Sequence, residues 1–429
     1  MALVEGVGRQ LAYTKESSWA VPGTTTYTIA RTQTGAASNE ERTQIQTSEL
    51  NTRRAVTSNR LGTHKPSVSV PYELFYGGAT AGAQQFDDFM ESWMCNSWTA
   101  AASAIASQTV TVGTPGATTE FTVGTSIGTI VQGDWVKVSG YTDTQIGNNG
   151  YYRVASVSSL VLTLVTPDYL QLVAGAAYGT AVVLQRMAYV SPGTSVKSLA
   201  FDEAFTDSES SLALAKLTIG CIANEFSLTI NPDQVITGTF TLPGRVLGSG
   251  ATRAAAATVA SAYSTITAPD TWTAAATYQP MTGNDTLMRL MVDNTSVAII
   301  TALTINGTNN TEQLLPIGSM YPYYVGKGTS SVSGTMSIYL TDASYWSSFQ
   351  NETLMGISLR LMDPDNGTLT TRDSGLGYGI EIPNIKITSL SDTINQTNVV
   401  LSVNWQAIEL SSSSTKGAAT TNMRISHLS

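Results

Sequence analysis

Histidine, cysteine and charge are all scarce in this sequence, and each shortage removes a class of function. Only His64 and His427 occur among 429 residues, and Cys95 and Cys221 are the only cysteines. Two scattered histidines and two distant cysteines do not supply the usual zinc ligand sets. Gly124-Thr125-Ser126-Ile127-Gly128 matches the G-x-S-x-G pattern of hydrolase nucleophile elbows, but it lacks a strand-turn-helix setting and a histidine to take the serine proton. The start, Met1-Ala2-Leu3-Val4-Glu5-Gly6, shows no secretory signal. Both cysteines are therefore expected to be reduced, buried thiols. No apolar run approaches the roughly 20 residues that cross a bilayer as a helix.

Charged residues make up 12% of the chain and hydrophobic ones 42%, against roughly 25% charged in an average soluble domain. The surface must therefore be covered by Thr, Ser, Asn, Gln and Gly, which suits packing against other protein. A formal net charge of -9 with pI near 4.8 argues against wrapping a nucleic acid, because phosphate affinity comes from clustered Lys and Arg. The abundance of Thr, Val and Ile between Gly, Asn and Asp turns predicts a mainly β chain. Its length predicts two to three domains.

Residues 62–76 alternate in character from Ser67 onward and predict a strand that runs into a Gly77-Gly78 turn. A core helix should follow. Phe86, Phe89, Met90, Trp93 and Met94 recur at spacings of three and four, with Asp87, Asp88 and Glu91 on the other face and in the first turn. The same order returns later. Gly326 precedes Ser331-Val332-Ser333 as Gly62 precedes Ser67-Val68-Ser69, and residues 334–340 lead to Asp342 as N-cap of a short helix with Tyr345, Trp346 and Phe349. A third partial copy joins Phe226 to Ile230 with Val235 to Leu242 through Asn231-Pro232-Asp233, placing Gly238-Thr239 where the later copy has Gly334-Thr335. The period is too long for a solenoid and predicts a sandwich of two related halves.

Residues 104–187 differ in character, with short strands at 109–112, 134–139, 151–157 and 161–165 and an Asn148-Asn149-Gly150 turn. They predict an inserted small β-barrel or β-sandwich domain between a first part, 1–103, and a second part, 188–429. Residues 34–61 show no apolar face and are expected to be a long loop, a feature that usually serves a function. The Ser- and Thr-rich tail from Ser411, within a C-terminal arm 411–429, should be flexible. Asp363-Pro364-Asp365-Asn366-Gly367 reads as a hairpin turn, since the bidentate Glu of a calcium loop is missing. Gly375-Leu376-Gly377-Tyr378-Gly379 is spaced too closely for a dinucleotide fingerprint and reads as a loop beside a strand. The seven tryptophans, Trp93, Trp135 and Trp405 among them, are expected in cores and not on a sugar platform. No catalytic residue, metal ligand or cofactor site emerges.

The order of these features resembles the major tail tube proteins of long-tailed, siphovirus-like bacteriophages. The likeness begins in Gly8-Arg9-Gln10-Leu11-Ala12-Tyr13-Thr14-Lys15-Glu16, continued by Ser17-Ser18-Trp19. It runs through the loop around Gln46-Thr47-Ser48-Glu49-Leu50, the strand after Gly62 and a helix from Phe86 to Trp98. It closes with Gly379-Ile380-Glu381-Ile382-Pro383-Asn384-Ile385-Lys386 and with Asn398-Val399-Val400-Leu401-Ser402-Val403-Asn404-Trp405-Gln406-Ala407. The likeness covers most of the chain apart from the 104–187 insertion.

The resemblance implies a tail-tube-type β-sandwich with a flanking α-helix, and hexameric rings whose strands line a continuous channel and which stack into a tube. It implies a virion protein, not an enzyme, synthesised and assembled in the host bacterial cytoplasm. Its partners would be copies of itself and the tape measure, tail tip and tail terminator proteins, with no membrane. Genomic DNA would pass through the lumen without specific binding. The long loop would bridge stacked rings, making Glu40, Glu41, Arg42, Glu49, Arg53, Arg54 and Arg60 candidate contacts. The insertion would project outward, and its removal should leave assembly intact. A head decoration protein, pilus-like subunit or adhesin would share the composition without forming a tube, and a carbohydrate-active β enzyme would need a cleft with two convergent carboxylates.

Overall fold

Six stretches alternate apolar with small polar residues, and each becomes a strand of one sheet. The computed structural model describes residues 4–429 except 23–25, 47–58, 76–77, 79, 83, 117, 166–171, 177–181, 208–211, 262–270, 275–278, 285–288, 294, 297–298, 342, 363–375, 395–397 and 411–420. It is mainly β, with three short α-helices among the described residues. The main sheet runs in the order Thr295–Ser296, Arg289–Val292, Met355–Met362, Gly377–Ile394, Val399–Ala407, Ser331–Tyr339, Ile300–Thr308, Glu225–Ile230, Thr237–Pro243, Asn59–Glu73 and Ala37–Gln46. Because side chains alternate across a pleated strand, Val68, Phe226, Phe240, Ile305, Met336 and Val403 share one buried face.

A second sheet of seven strands, built on Val4–Ser18, Leu199–Asp207 and Leu212–Cys221, covers part of that face. Helix α1, Gln85–Met94, is wedged where the two sheets meet. Its Phe89 ring lies 5.9 Å from Phe201 of the second sheet and 5.3 Å from Phe240 of the main sheet. Phe86, Phe89, Met90, Trp93 and Met94 are all buried. The helix stops at Met94, earlier than Trp98, because Cys95 adopts the left-handed conformation that closes a helix C-terminus.

The sheet contains two related halves, but their correspondence differs from the one the sequence suggests. Strand Glu225–Ile230 pairs with Ile300–Thr308, and each is the first strand of a hairpin. Their second strands carry Gly238 and Gly334. Opposite Gly238 on the next strand stands Tyr72, and opposite Gly334 stands Trp405. A Cβ at Gly334 would come within 2.1 Å of the Thr304 carbonyl oxygen and 2.4 Å of the Trp405 ring. A Cβ at Gly238 would meet the Ser227 carbonyl oxygen and Tyr72 in the same way. Strand Asn59–Glu73 thus corresponds to Val399–Ala407, not to Ser331–Tyr339. The two halves meet at Leu228 and Ile305, which face each other directly. Asp342 lies outside the described residues, and the N-cap of the short helix α3, Ser344–Gln350, is Ala343.

Residues 105–186 form a separate eight-stranded sheet. Strand Ile105–Gln108 pairs with Val182–Arg186, while Val110–Val112, one residue further on, pairs with Thr118–Val123. Thr109 thereby links the strand at one end of the sheet to the strand next to its other end, and the sheet curls as a barrel around Phe121, Val136, Tyr152 and Leu164. Trp135 is buried, yet not in that core. It packs with Tyr151 and Met187 against Met291, Met362 and Leu428 of the body.

Gly377 and Gly379 are strand residues, which corrects the reading of a glycine-rich loop. A Cβ on Gly379 would sit 2.6 Å from the Trp135 indole nitrogen. The C-terminus is likewise no free arm in its described part. Strand Arg424–Leu428 is buried throughout and pairs with both Gly377–Ile394 and Ala188–Val190. Its neighbours 411–420, like the Asp363–Gly367 turn, lie outside the described residues.

Candidate functional site

The face of the main sheet turned away from the core is lined by small polar residues. One cross-strand row reads Pro71, Thr239, Ser227, Asn306, Ser333 and Gln406. The next reads Glu73, Thr237, Thr229, Thr304, Thr335 and Asn404. The segments 67–73, 225–230, 237–243, 300–308, 331–339 and 399–407 contain no Lys or Arg, and their only acids are Glu73 and Glu225. At about 4.8 Å per strand spacing, this neutral face is roughly 24 Å wide. At its borders stand Lys65, two residues before Ser67 on the same side of its strand, and Lys386, which is held by Glu352 at 2.5 Å. Hydroxyls and amides here hydrogen-bond water and present no charge that would displace phosphate counterions. The sequence carried the signal as Ser/Thr alternation, but only strand order shows that these residues share one surface.

The segment expected as a loop at 34–61 is instead, in its described part, an arm of two long strands. Ala37–Gln46 pairs with Asn59–Glu73 from Ala37 opposite Ser69 out to Gln46 opposite Asn59. The polar residues that gave no apolar face suit strands with few neighbours beyond each other. Glu40 and Glu41 are exposed, Arg42 is half-buried with its guanidinium donating to the Gly62 carbonyl oxygen at 3.1 Å, and Arg60 is exposed. Glu40 also pairs with His64 on the facing strand. Glu49, Arg53 and Arg54 lie outside the described residues.

The polar face of α1 is buried as well, contrary to the amphipathic reading. Asp87 accepts hydrogen bonds from the Tyr378 hydroxyl at 2.9 Å and the Gly82 N–H at 2.9 Å. Asp88 accepts from the Tyr13 hydroxyl at 2.9 Å and pairs with Lys15 at 2.5 Å. Glu91 also pairs with Lys15, at 3.1 Å. Burial pushes Asp87 up to about 7 and Asp88 up to about 6. Glu16, in the early element Glu16-Ser17-Ser18-Trp19, is likewise raised by burial to about 7. Its carboxyl accepts from the Ala20 and Gly220 N–H groups at 2.7 and 2.8 Å and from the Ser198 hydroxyl. It thereby fixes two backbone positions of positive φ. These carboxyls hold structure together. Among the described residues no group of His, Cys, Asp and Glu is arranged to hold a metal ion, and both cysteines are free and buried.

The family model of the phage tail tube protein matches residues 6–407. The chain therefore belongs to that family and is a structural tail-tube protein, a component of the virion within a multi-subunit tail. No curated protein matches it. No helix among the described residues is long and apolar enough to cross a membrane.

Proposed function

We propose that this chain forms the tube of a long-tailed, siphovirus-like phage as hexameric rings stacked on one another, with the neutral face of the main sheet lining the conduit for DNA. The observation that carries this reading is that face, roughly 24 Å wide and free of Lys and Arg over its six strand segments. A polyanion in transit needs a wall that does not grip phosphate, and cations would grip it through counterion release. Edge-to-edge closure in a ring also occupies the unpaired backbone groups at sheet edges, which an isolated subunit leaves open.

The arm supports stacking because it extends beyond the body and carries Glu40, Glu41 and Arg60 exposed. Glu49, Arg53 and Arg54 belong to the same stretch of sequence and complete the contact set. Residues 1–103 and 188–429 make the tube domain and 104–187 the inserted domain. That domain docks at Gly377–Glu381, beyond the neutral rows, and so projects away from the conduit. Copies assemble in the host cytoplasm, with tape measure, tip and terminator proteins bounding the tube.

Negative-stain electron microscopy of the purified chain across a concentration series tests the reading. Hollow tubes or stacked six-fold rings are expected. Monomers that persist at the highest concentrations would sink it.

A further inference from the structure

Apolar side chains that reach water are unevenly placed in this chain. Of the thirteen large ones exposed among the described residues, five lie on one short hairpin, two on the arm and three at the opposite end of the main sheet. The hairpin joins Ile300–Thr308 to Ser331–Tyr339 at the end of the sheet from which the arm extends. Its strands are Glu312–Leu314 and Tyr324–Gly326. Its tip exposes Leu314, Leu315, Ile317, Met320 and Tyr323, with Ile317 at 107%.

The tip is held in place before any partner arrives. The Gln313 amide donates to the Pro66 and Gly244 carbonyl oxygens at 2.9 and 2.8 Å, and the His64 N–H donates to the Met320 carbonyl oxygen at 2.8 Å. The Tyr324 ring packs on Trp19 at 4.8 Å. Gly318 turns the chain at φ +86°, and the Ser319 hydroxyl both donates to the Tyr321 carbonyl oxygen and accepts from the Tyr321 N–H.

The second group stands where three neighbouring strands reach the far end of the sheet. The Leu340 N–H donates to the Val399 carbonyl oxygen at 3.0 Å, and Val399 pairs with Ile394, so Leu340, Val399 and Ile394 form one cross-strand row. Leu340 is 41% exposed and Ile394 75%, and Tyr339 beside them is exposed too. Strand Ser331–Tyr339 separates this row from the hairpin by roughly 26 Å, at about 3.3 Å per residue.

Clustered exposed apolar side chains mark a surface that another protein covers. These two clusters close opposite ends of one sheet, so a copy that covers one of them lies beyond that end. A reciprocal pair would need the second copy beyond both ends at once. The contact is therefore heterologous and repeats from copy to copy. Stacking along the strands also carries the neutral wall of one copy on into the next, and the family builds a multi-subunit tail.

We propose that the hairpin tip of each subunit packs on the row of Leu340, Val399 and Ile394 of a second copy of this chain in the adjacent ring. A preformed tip loses little freedom on docking, so its apolar burial appears as affinity. This inference rests on the tube reading above and names the surfaces that meet between rings.

The test uses the full chain carrying Ile317→Cys and Ile394→Cys together, and each alone. Both positions are exposed, and the chain's own thiols, Cys95 and Cys221, are buried. Assemblies are oxidised mildly and separated on a denaturing gel. The expected result is a ladder of disulfide-linked dimers, trimers and longer species from the double variant, absent from either single one. Dimers without higher species would mean a reciprocal pair and overturn the head-to-tail contact. Rings or tubes without any cross-link, or a dimer from a single variant, would overturn it and leave the tube reading standing. If wild-type chain gives neither rings nor tubes by microscopy, the tube reading fails and this inference fails with it. Ile317→Asp should keep the monomer folded, since the side chain is fully exposed, and raise the concentration needed for stacking by at least about tenfold. An unchanged threshold would count against the tip as the contact.

Discussion

The guanidinium of Arg153 meets the carboxylate of Glu381 at 2.7 Å, with the two side chains only 2% and 1% exposed. One belongs to the barrel and the other to the main sheet. A second enclosed pair, Arg424 with Asp134 at 2.5 Å, crosses the same seam in the opposite sense. Trp135, Met291, Met362 and Leu428 fill the space between. The barrel is therefore bolted to the body, and its removal is expected to cost the body stability. Its removal would take Arg153 from Glu381 and Asp134 from Arg424 and uncover an apolar seam.

Arg153→Met should destabilise the chain by up to about 3–5 kcal/mol, because it removes the cation 2.7 Å from a carboxylate that is only 1% exposed. Adding Glu381→Leu should restore most of that loss, since an apolar pair of similar volume is often neutral there. Urea unfolding of the three proteins checks both steps. A cost below about 1 kcal/mol for the single variant would show that water reaches the seam.

The arm boundaries also follow from pairing. Ser38 is buried, and its N–H donates to Glu203 at 3.2 Å, so a deletion beginning at residue 36 would damage the body. Replacing 43–61 with Asn-Gly keeps Ala37 to Arg42 paired. The product should unfold within about 1 kcal/mol of wild type while forming rings that no longer stack. Size-exclusion chromatography and microscopy distinguish this from tubes of normal length, which would remove the arm from the stacking contact.

The neutral face makes a prediction about DNA. Ser227→Arg with Asn306→Arg places two cations side by side on facing strands, at half-buried and exposed positions. Folding should change little, and assembled particles should acquire DNA affinity with a log-log salt slope steeper by about 0.9 per phosphate engaged. Binding no stronger than wild type would mean that the face is hidden from the lumen.

Stability should depend on pH through the buried carboxyls. Desolvation raises Asp87 and Glu16 to about 7 and Asp88 to about 6. The folded chain then keeps protons that the unfolded chain has already released. Their contribution is full below about pH 4 and is lost as pH rises through 7, by up to about 1.4 kcal/mol per unit for each group. His427, pushed down to about 4 by burial from an ordinary 6.5, acts oppositely between those values. Burial also raises Asp134 and Asp202 and lowers His64, so raised carboxyls outnumber lowered imidazoles and stability should fall between pH 5 and 7. Urea midpoints should decline over that range and decline less in Asp87→Asn. A midpoint that rises steadily would contradict the assignment.

The strands and α1 were legible in the sequence because their periods are local. Alternation at Ser67 to Val70 and the Phe86 to Met94 stripe each depend on side chains a few residues apart. The arm was misread because an exposed two-stranded ribbon buries too little to leave an apolar pattern. The burial of Asp87, Asp88 and Glu91 was equally hidden, since their partners Tyr13, Lys15 and Tyr378 are remote in sequence.

By itself the sequence determined a mainly β chain, poor in charge and built from alternating strands around one core helix, because backbone pleating and helical pitch convert residue order directly into faces. Tertiary structure alone decided which strands became neighbours. It set Tyr72 and Trp405 over matching glycines, gathered scattered hydroxyls into one cation-free wall, and locked the barrel to the body through charges more than two hundred residues apart. Those outcomes depend on long-range pairing and desolvation, which no local pattern encodes.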